Sequence, residues 1–163
     1  MNKQRGFTLV ELLMTVVVLS ILIALAVPSF RELMDKNAVT TAANDLLSSI
    51  LLARSEAVKR ESPVVIRKVS SWGSRYRVFN DLNGNNNYNS STESPVILDN
   101  ILSDSSVTIT GNGAASTYIR FNPRGRASLT TSNDYFSISK GSTTRYICFS
   151  ATGRPRIQEA SCS

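Results

Sequence analysis

A long apolar run near the N-terminus limits what this chain can be more than any other feature. It extends from Phe7 to Val27, contains a single charged residue, Glu11, and follows a short basic segment, residues 1–6. At about 1.5 Å rise per residue, such a run is long enough to cross a bilayer as one helix. A secretory signal would place a small-residue cleavage site after the run, whereas here the small residue Gly6 precedes it. The sequence therefore predicts a retained transmembrane helix over residues 7–27.

Glu11 is unusual inside such a helix. A carboxylate at membrane depth costs roughly 2.5–3.5 kcal/mol even on lenient insertion scales, so it is retained for a partner or a function. Its position alone leaves two interpretations open. Either the side chain reaches the membrane interface, or it pairs with a specific group.

The segment GFTLVEL at residues 6–12, with basic residues upstream, resembles the class III signal of type IV pilins and type II secretion pseudopilins. The resemblance implies that a prepilin peptidase cleaves between Gly6 and Phe7, which makes residues 1–6 a leader peptide. It also implies N-methylation of Phe7. Glu11 is then expected to pair with the terminal amine of a neighbouring subunit, so that the helix assembles with other pilins.

Composition suits a small exported domain on a helical anchor. The chain has 163 residues, no histidine and a formal net charge of +6. Residues 62–163 carry 11 Lys or Arg against 6 Asp or Glu, so the basic excess of the mature protein lies there. An exposed basic domain attracts nucleic acid or anionic surfaces. An excess of this size is also ordinary for a soluble domain, so charge alone does not decide the function.

The chain contains two cysteines, Cys148 and Cys162. In an exported protein an even number favours a disulfide, and closing a loop of about 15 residues contributes roughly 3 kcal/mol in the chain-entropy model. Two isolated cysteines without histidine make a poor metal site. We therefore expect a disulfide that holds the C-terminal tail against the strand carrying Cys148.

The rest of the chain divides into a helix and a β-rich head. Apolar residues recur every three or four positions after residue 30, which predicts an amphipathic continuation of the helix over residues 28–61. Beyond Ser62-Pro63, the alternation and the turn residues predict strands at Val64–Lys68, Arg75–Phe79, Pro95–Leu98, Val107–Thr110, Thr117–Asn122, Ala127–Thr130, Tyr135–Ser139 and Arg145–Ser150. The predicted fold is α+β and type IV pilin-like: a long N-terminal helix, half transmembrane and half amphipathic, packed on the antiparallel sheet of a head at residues 62–163.

Further stretches narrow the family. They are ARSEAVKR at residues 53–60, VFNDLNGN at 78–85 and FNPRGR at 121–126. In this order behind a class III leader, they resemble the GspH/FimT family of minor pilins and pseudopilins. The resemblance implies insertion in the inner membrane with the head in the periplasm, followed by assembly into a pilus or pseudopilus. Some FimT-type members bind DNA during natural transformation.

The asparagine-rich loop DLNGNNNYN at residues 81–89 has oxygen-bearing side chains at alternate positions, as an EF-hand loop does. However, its sixth position is Asn86 rather than Gly. Its twelfth is Thr92 rather than Glu, and Glu93 comes one place late. A surface hairpin loop is the favoured interpretation and a calcium site the alternative. No metal or other cofactor is expected.

The most specific candidate site is Gly153-Arg154-Pro155-Arg156. Proline fixes its own φ and favours an extended residue before it. Arginines two positions apart then point the same way, about 6–7 Å from each other, and each can bind a phosphate bidentately. On spacing alone, phosphate binding and a solvated turn fit equally well. In the FimT-type members a Gly-Arg-x-Arg motif marks DNA binding, so the resemblance implies that Arg154 and Arg156 bind double-stranded DNA.

Other basic residues are secondary candidates for the same site. Arg124 and Arg126 repeat the spacing around Gly125, where a tight turn between strands is the simpler explanation. Lys140 and Arg145 flank a turn and would widen a basic patch around the tail.

The aromatic residues Trp72 and Tyr76 offer stacking surfaces for bases, although packing in the core is favoured.

The chain has no histidine, no carboxylate pair at catalytic spacing and no glycine-rich phosphate loop, so no enzyme is predicted. Two functions stay open. One is DNA capture for uptake, and the other is a structural subunit that initiates or caps the fibre without binding DNA.

Overall fold

The computed structural model describes residues 8–93, 95–102, 106–129, 133–150 and 152–162. These residues form one long helix, eight strands and a short 3-10 helix at Gly113–Ser116. In chain order the elements are α1 (Leu9–Lys59), β1 (Val64–Lys68), β2 (Arg75–Asn80), β3 (Leu98–Ile101), β4 (Thr108–Gly111), β5 (Tyr118–Phe121), β6 (Tyr135–Lys140), β7 (Thr143–Phe149) and β8 (Pro155–Gln158).

A capping box starts α1. The Thr8 hydroxyl accepts a hydrogen bond from the Glu11 amide (3.3 Å), and Glu11 Oε2 accepts one from the Thr8 amide (2.9 Å). The pair satisfies two donors that the helix N-terminus would otherwise leave free. Within the described part of the chain, α1 is the one helix long and apolar enough to span a membrane, and its first half is exposed. Pro28 lies inside the same helix.

The second half of α1 packs on the head through one stripe. Its buried residues recur at spacings of three and four, as the amphipathic pattern predicts: Val39, Ala42, Ala43, Leu46, Ser49, Ile50, Ala53 and Ala57. The buried stripe ends at Ala57, and the next residue, Val58, is half exposed. The helix stops at Lys59, a few residues before Pro63.

Two four-stranded antiparallel sheets form the head, in the strand orders β3-β2-β1-β5 and β4-β6-β7-β8. Helix α1 contacts both sheets, and buried residues of all three form one core. Trp72 connects the sheets, with its ring 4.9 Å from Phe136 of β6 and 6.0 Å from Tyr76 of β2. Trp72 and Tyr76 are both buried, so neither presents a surface for base stacking.

The third strand is displaced from its predicted place. It occupies Leu98–Ile101 rather than 95–98, because Pro95 has no amide proton for a sheet ladder and the register pairs Asp99 with Arg77. Asp99 Oδ2 then lies 2.5 Å from Arg75 Nη2 and 3.0 Å from Arg77 Nε. The hydrogen bond from Arg75, with help from Arg77, lowers the pKa of Asp99 to about 2.

Two other strand predictions need correction. The strand predicted at 127–130 is, within its described residues, a single bridge between Ala127 and Phe121, because the chain here only closes the turn that follows β5. Strand β8 was not predicted at all. It begins with Pro155 and lies at an edge of its sheet, where proline is tolerated.

Candidate nucleic-acid interface

The Gly153–Arg156 segment forms the turn and first residues of a β-hairpin between β7 and β8, and is not a free loop. The register pairs Phe149 with Pro155 and Cys148 with Arg156. At the turn, the Gly153 amide donates to the Ser150 carbonyl (2.7 Å), and the Ser150 amide donates to the Arg154 carbonyl (3.0 Å). Gly153 has φ +77°, a left-handed conformation that glycine adopts without steric cost. These hydrogen bonds hold the candidate motif in one conformation.

Arg154 and Arg156 point away from the core. Both are exposed, whereas Gly153, which precedes them, and Pro155, which lies between them, are buried. This alternation is that of extended backbone, in which side chains two apart share a face and lie about 6–7 Å from each other. The predicted extended geometry is therefore present at this site.

A disulfide joins Cys148 to Cys162, with 5.6 Å between the two Cα atoms. Cys148 lies directly opposite Arg156 in the β7–β8 register, and the two share a face of the sheet. The end of the chain is thus tied back to β7 next to Arg156. The tail is restrained both by the β8 ladder and by a covalent bond.

A second turn carries the other arginine pair. The Asn122 side-chain oxygen accepts hydrogen bonds from the amides of Arg124 (3.0 Å) and Arg126 (2.9 Å). Gly125 closes the turn with φ +70°. A Cβ atom added at Gly125 would lie 3.3 Å from Arg54 Nε, so this turn packs against the C-terminal part of α1. The expected tight turn is present, and Arg124 and Arg126 are both exposed on it.

The two turns lie side by side. A Cβ atom added at Gly153 would lie 2.9 Å from both the amide nitrogen and the Cβ of Ala127, the residue after Arg126. The turn of the β7–β8 hairpin therefore packs against the backbone at Ala127, just after the second turn. We call the arginines gathered here the arginine tip; they are Arg54, Arg124, Arg126, Arg154 and Arg156.

The arginine tip is not neutralised by the protein. Within the described part of the chain, none of its five side chains is in an ion pair or a side-chain hydrogen bond. Other arginines of the head are paired with carboxylates: Arg75 and Arg77 with Asp99, and Arg120 with Asp81 (3.4 Å). Four of the eleven Lys or Arg residues of the head thus lie in the tip without a carboxylate partner among the described residues.

Lys140 and Arg145 do not join this tip. Lys140 Nζ lies 3.7 Å from Asp35 Oδ1 of α1, and Arg145 pairs with Glu159. Along β7, Arg145 lies three residues from Cys148, the residue opposite Arg156, which is about 10 Å. Arg145 and Cys148 lie on opposite faces of the sheet, because they are an odd number of residues apart. The Lys140 and Arg145 side chains are both paired with carboxylates, and their part in DNA binding stays a prediction.

Arg54 was missed by the sequence reasoning. It lies next to buried Ala53 and is half-buried on α1, where the turn around Gly125 covers it. The sequence feature that indicates Arg54 is its position in the last turns of the predicted helix, on the side of the helix that the head covers.

The expected cleavage residues Gly6 and Phe7 lie outside the described residues, and Glu11 has a local partner in Thr8.

Comparisons with known proteins agree with this architecture. Residues 42–153 match the family described as Type II transport protein GspH, and residues 1–27 match the prokaryotic N-terminal methylation motif. The fold resembles the crystal structure of the type IV minor pilin FimU of Pseudomonas aeruginosa. In that comparison the TM-score is 0.58 and the identity 21%, and the match covers 77% of this chain and 90% of FimU.

Sequence relatives include two pilins. Pilin-like protein PilA1 of Thermus thermophilus is 32% identical over 90 residues, which is 55% of this chain and 56% of PilA1. The type IV major alpha-pilin of Moraxella bovis is 28% identical over 71 residues, 44% of this chain and 45% of that pilin. The chain thus spans about half the length of the curated relatives it matches.

The methylation motif covers the N-terminal apolar segment, residues 1–27. The pilin fold adds a long apolar helix and a head made of antiparallel sheets. Because the family match covers well over half of the sequence, this chain belongs to the GspH family, and it has the fold of a type IV pilin.

Proposed function

We propose that this chain is a minor type IV pilin that binds double-stranded DNA without sequence preference, for DNA uptake in natural transformation. The observation that carries the proposal is the arginine tip. Five arginines from α1, from the turn after β5 and from the β7–β8 hairpin lie together without a carboxylate partner among the described residues. A cluster of unpaired guanidinium groups is the electrostatic signature of a phosphate-binding surface.

Arg154 and Arg156 are the expected centre of the contact. Their spacing of about 6–7 Å along an extended strand suits contacts with successive phosphates. The backbone that carries them is held by the β7–β8 ladder and the Cys148–Cys162 disulfide, so ordering it on binding costs little. The resemblance of Gly153-Arg154-Pro155-Arg156 to the Gly-Arg-x-Arg motif of DNA-binding FimT members supports the same assignment.

The tip suits backbone contacts rather than base reading. Phosphate contacts position a protein on DNA but carry no sequence information. Arginines on short turns reach phosphates, whereas reading bases in the major groove requires a helix or β-ribbon that enters the groove. We therefore expect binding that is weak to moderate and indifferent to sequence.

The test is an anisotropy titration of short labelled DNA duplexes with the full chain purified in detergent. Two duplexes of unrelated sequence should bind with affinities that agree within about twofold, and log affinity should fall with log salt at a slope of roughly −2 to −4 for two to four phosphate contacts. A protein that binds neither duplex at low salt would contradict the proposal.

We also propose the processing and location that the N-terminal segment implies. The leader is cleaved between Gly6 and Phe7, and Phe7 is N-methylated. The protein is then held in the inner membrane by residues 7–27, with its head in the periplasm, until Glu11 pairs with a neighbouring amino terminus during assembly. The intact mass of the membrane-extracted protein should lack residues 1–6 and include one methyl group. A mature form that retains Met1 would refute this processing.

The second candidate is a purely structural minor pilin or type II secretion pseudopilin that initiates or caps the fibre. The exposed apolar first half of α1 favours an assembly role in either case, because such a surface must be covered by lipid or by other helices. A fibre role does not require the arginine tip. The DNA titration therefore separates the two candidates.

A further inference from the structure

We propose that residues 81–93 form a calcium-binding loop, with oxygen ligands from Asp81, Asn86 and Glu93. We call this segment the Asn-rich loop. It follows β2 directly and belongs to the other sheet from the β7–β8 hairpin. The inference is independent of DNA binding, and it departs from the expectation that no metal is bound.

The main observation is a set of buried oxygen atoms without a donor. Asp81 is 1% exposed and Glu93 is 2% exposed, yet Asp81 Oδ2 and Glu93 Oε1 have no hydrogen-bond partner among the described residues. The side-chain oxygen of Asn86, in the same loop, is also buried without a partner. Burying carboxylate oxygens in this way is costly unless they are paired or coordinate a metal.

The first departure of the Asn-rich loop from an EF-hand loop is Asn86 at the sixth position, in place of glycine. An EF-hand loop needs glycine at its sixth position for a sharp turn. Here Asn86 occupies that position with φ +59°, the left-handed conformation that asparagine adopts more readily than most residues. The Asp81 carboxylate closes this turn, since Asp81 Oδ1 accepts a hydrogen bond from the Asn86 amide at 3.1 Å.

The second departure from an EF-hand loop is that Glu93 lies one position after the twelfth, where an EF-hand loop has its glutamate. The chain makes a helical turn before it, in which the Glu93 amide donates to the Asn89 carbonyl at 2.8 Å. The Glu93 carboxylate is thereby turned back into the loop, and its Oε2 accepts a hydrogen bond from the Asn89 amide at 2.7 Å. One carboxylate oxygen positions the loop, and the other is left available to a cation.

The ligand chemistry favours a hard cation. The described residues contain no group of three His, Cys, Asp or Glu side chains able to hold a metal. The site therefore rests on two carboxylates and the side-chain oxygen of Asn86, which suit Ca²⁺ rather than zinc or copper. So few negative charges predict a weak site, with a Kd of about 10⁻⁴–10⁻³ M, typical of extracellular modules.

Arg67 Nη1 donates a hydrogen bond to the Asn86 carbonyl at 2.9 Å, and Arg120 is the alternative cation for this loop. Arg120 Nη1 lies 3.4 Å from Asp81 Oδ2 and 3.4 Å from the Gly84 carbonyl. It forms an ion pair with Asp81 Oδ2 without a hydrogen bond to that oxygen, and it does not satisfy Asn86 Oδ1 or Glu93 Oε1. Asn86 Oδ1 and Glu93 Oε1 are thus available to a cation, whereas Ca²⁺ would have to displace the Arg120 guanidinium from Asp81 Oδ2.

The test uses the full chain in detergent, stripped of metal with EDTA, and titrated with CaCl₂ by calorimetry and thermal unfolding. Binding should saturate, and Tm should rise by about 5–11 °C at a hundredfold excess of Ca²⁺ over its Kd. MgCl₂ should give a smaller shift, because Mg²⁺ keeps several of its waters. No heat and no Tm shift with CaCl₂ up to about 100 mM, a hundredfold excess over the weakest expected Kd, would overturn the proposal.

Variants separate a loop site from binding elsewhere. Glu93→Gln should weaken calcium binding by about tenfold or more, since it removes one of two charged ligands. Asn86→Asp adds a charge at a position whose backbone conformation aspartate tolerates, and should tighten binding. Glu159→Gln, the same chemical change at an exposed residue outside the loop, should leave the affinity unchanged. Equal affinities in wild type and in Asn86→Asp would overturn the site even if Glu93→Gln failed to fold.

Discussion

Replacing Arg154 and Arg156 together with glutamine is expected to reduce the affinity for duplex DNA by about sixtyfold at about 0.1 M salt, because each lost phosphate contact removes about eightfold of counterion-release affinity. Both side chains are exposed and without a protein partner among the described residues. Tm should therefore stay within about 2 °C of wild type, since such surface substitutions change stability little. Anisotropy titrations and thermal unfolding on the same samples measure both quantities.

The matched control is Lys140→Gln with Arg145→Gln. It removes the same net charge from side chains that are already paired with Asp35 and Glu159, and Arg145 lies about 10 Å along β7 from the residue opposite Arg156. Its DNA affinity should fall much less than that of the Arg154/Arg156 pair. Lysine at positions 154 and 156 should restore part of the affinity, because it keeps the charge but loses the bidentate geometry. Equal losses in the two glutamine pairs would mean that net charge, and not the tip, governs binding.

The second large effect is expected from the disulfide. Replacing Cys148 and Cys162 with serine should lower the free energy of unfolding by roughly 3 kcal/mol, because the bridge closes a loop of about 15 residues. For a chain of this size, that corresponds to a fall in Tm of about 6–12 °C. Thermal unfolding under non-reducing conditions measures it, and wild type in reductant should show the same fall.

Loss of the disulfide should affect DNA binding less than loss of the two arginines. Strand β8 still pairs with β7 through its backbone, so Arg154 and Arg156 keep their place in the hairpin. A Tm that changes by less than about 2 °C in the serine pair would show that the bridge contributes little. A loss of DNA affinity as large as that of the arginine pair would instead make the bridge a requirement for the geometry of the tip.

Local patterns predicted much of the fold. The spacing of Leu46, Ile50 and Ala53 predicted the buried face of α1, and the alternation in β1, β2, β6 and β7 predicted most of the two sheets. These elements follow from the periodicity of side chains along helix and strand, which is readable from the sequence. The Cys148–Cys162 disulfide followed from cysteine number and exported context.

Other features depend on contacts between distant parts of the chain. Arg54 and Arg126 are more than seventy positions apart in sequence, and only the packing of Gly125 on α1 brings their segments together. Strand β8 carries proline and arginine, so its place at the sheet edge rests on pairing with β7 rather than on its own strand propensity. The burial of Glu93 likewise depends on the helical turn between Asn89 and Glu93, which the residue spacing of an EF-hand loop does not predict.

The salt dependence of DNA binding tests the role of the arginine tip most directly, because its slope counts phosphate contacts and not merely affinity. The log–log slope of the Arg154→Gln/Arg156→Gln variant should be less steep than that of wild type by about 2, one unit for each lost contact. The Lys140→Gln/Arg145→Gln variant should keep the wild-type slope. Identical slopes in wild type and in the Arg154/Arg156 variant would contradict DNA binding through the arginine tip.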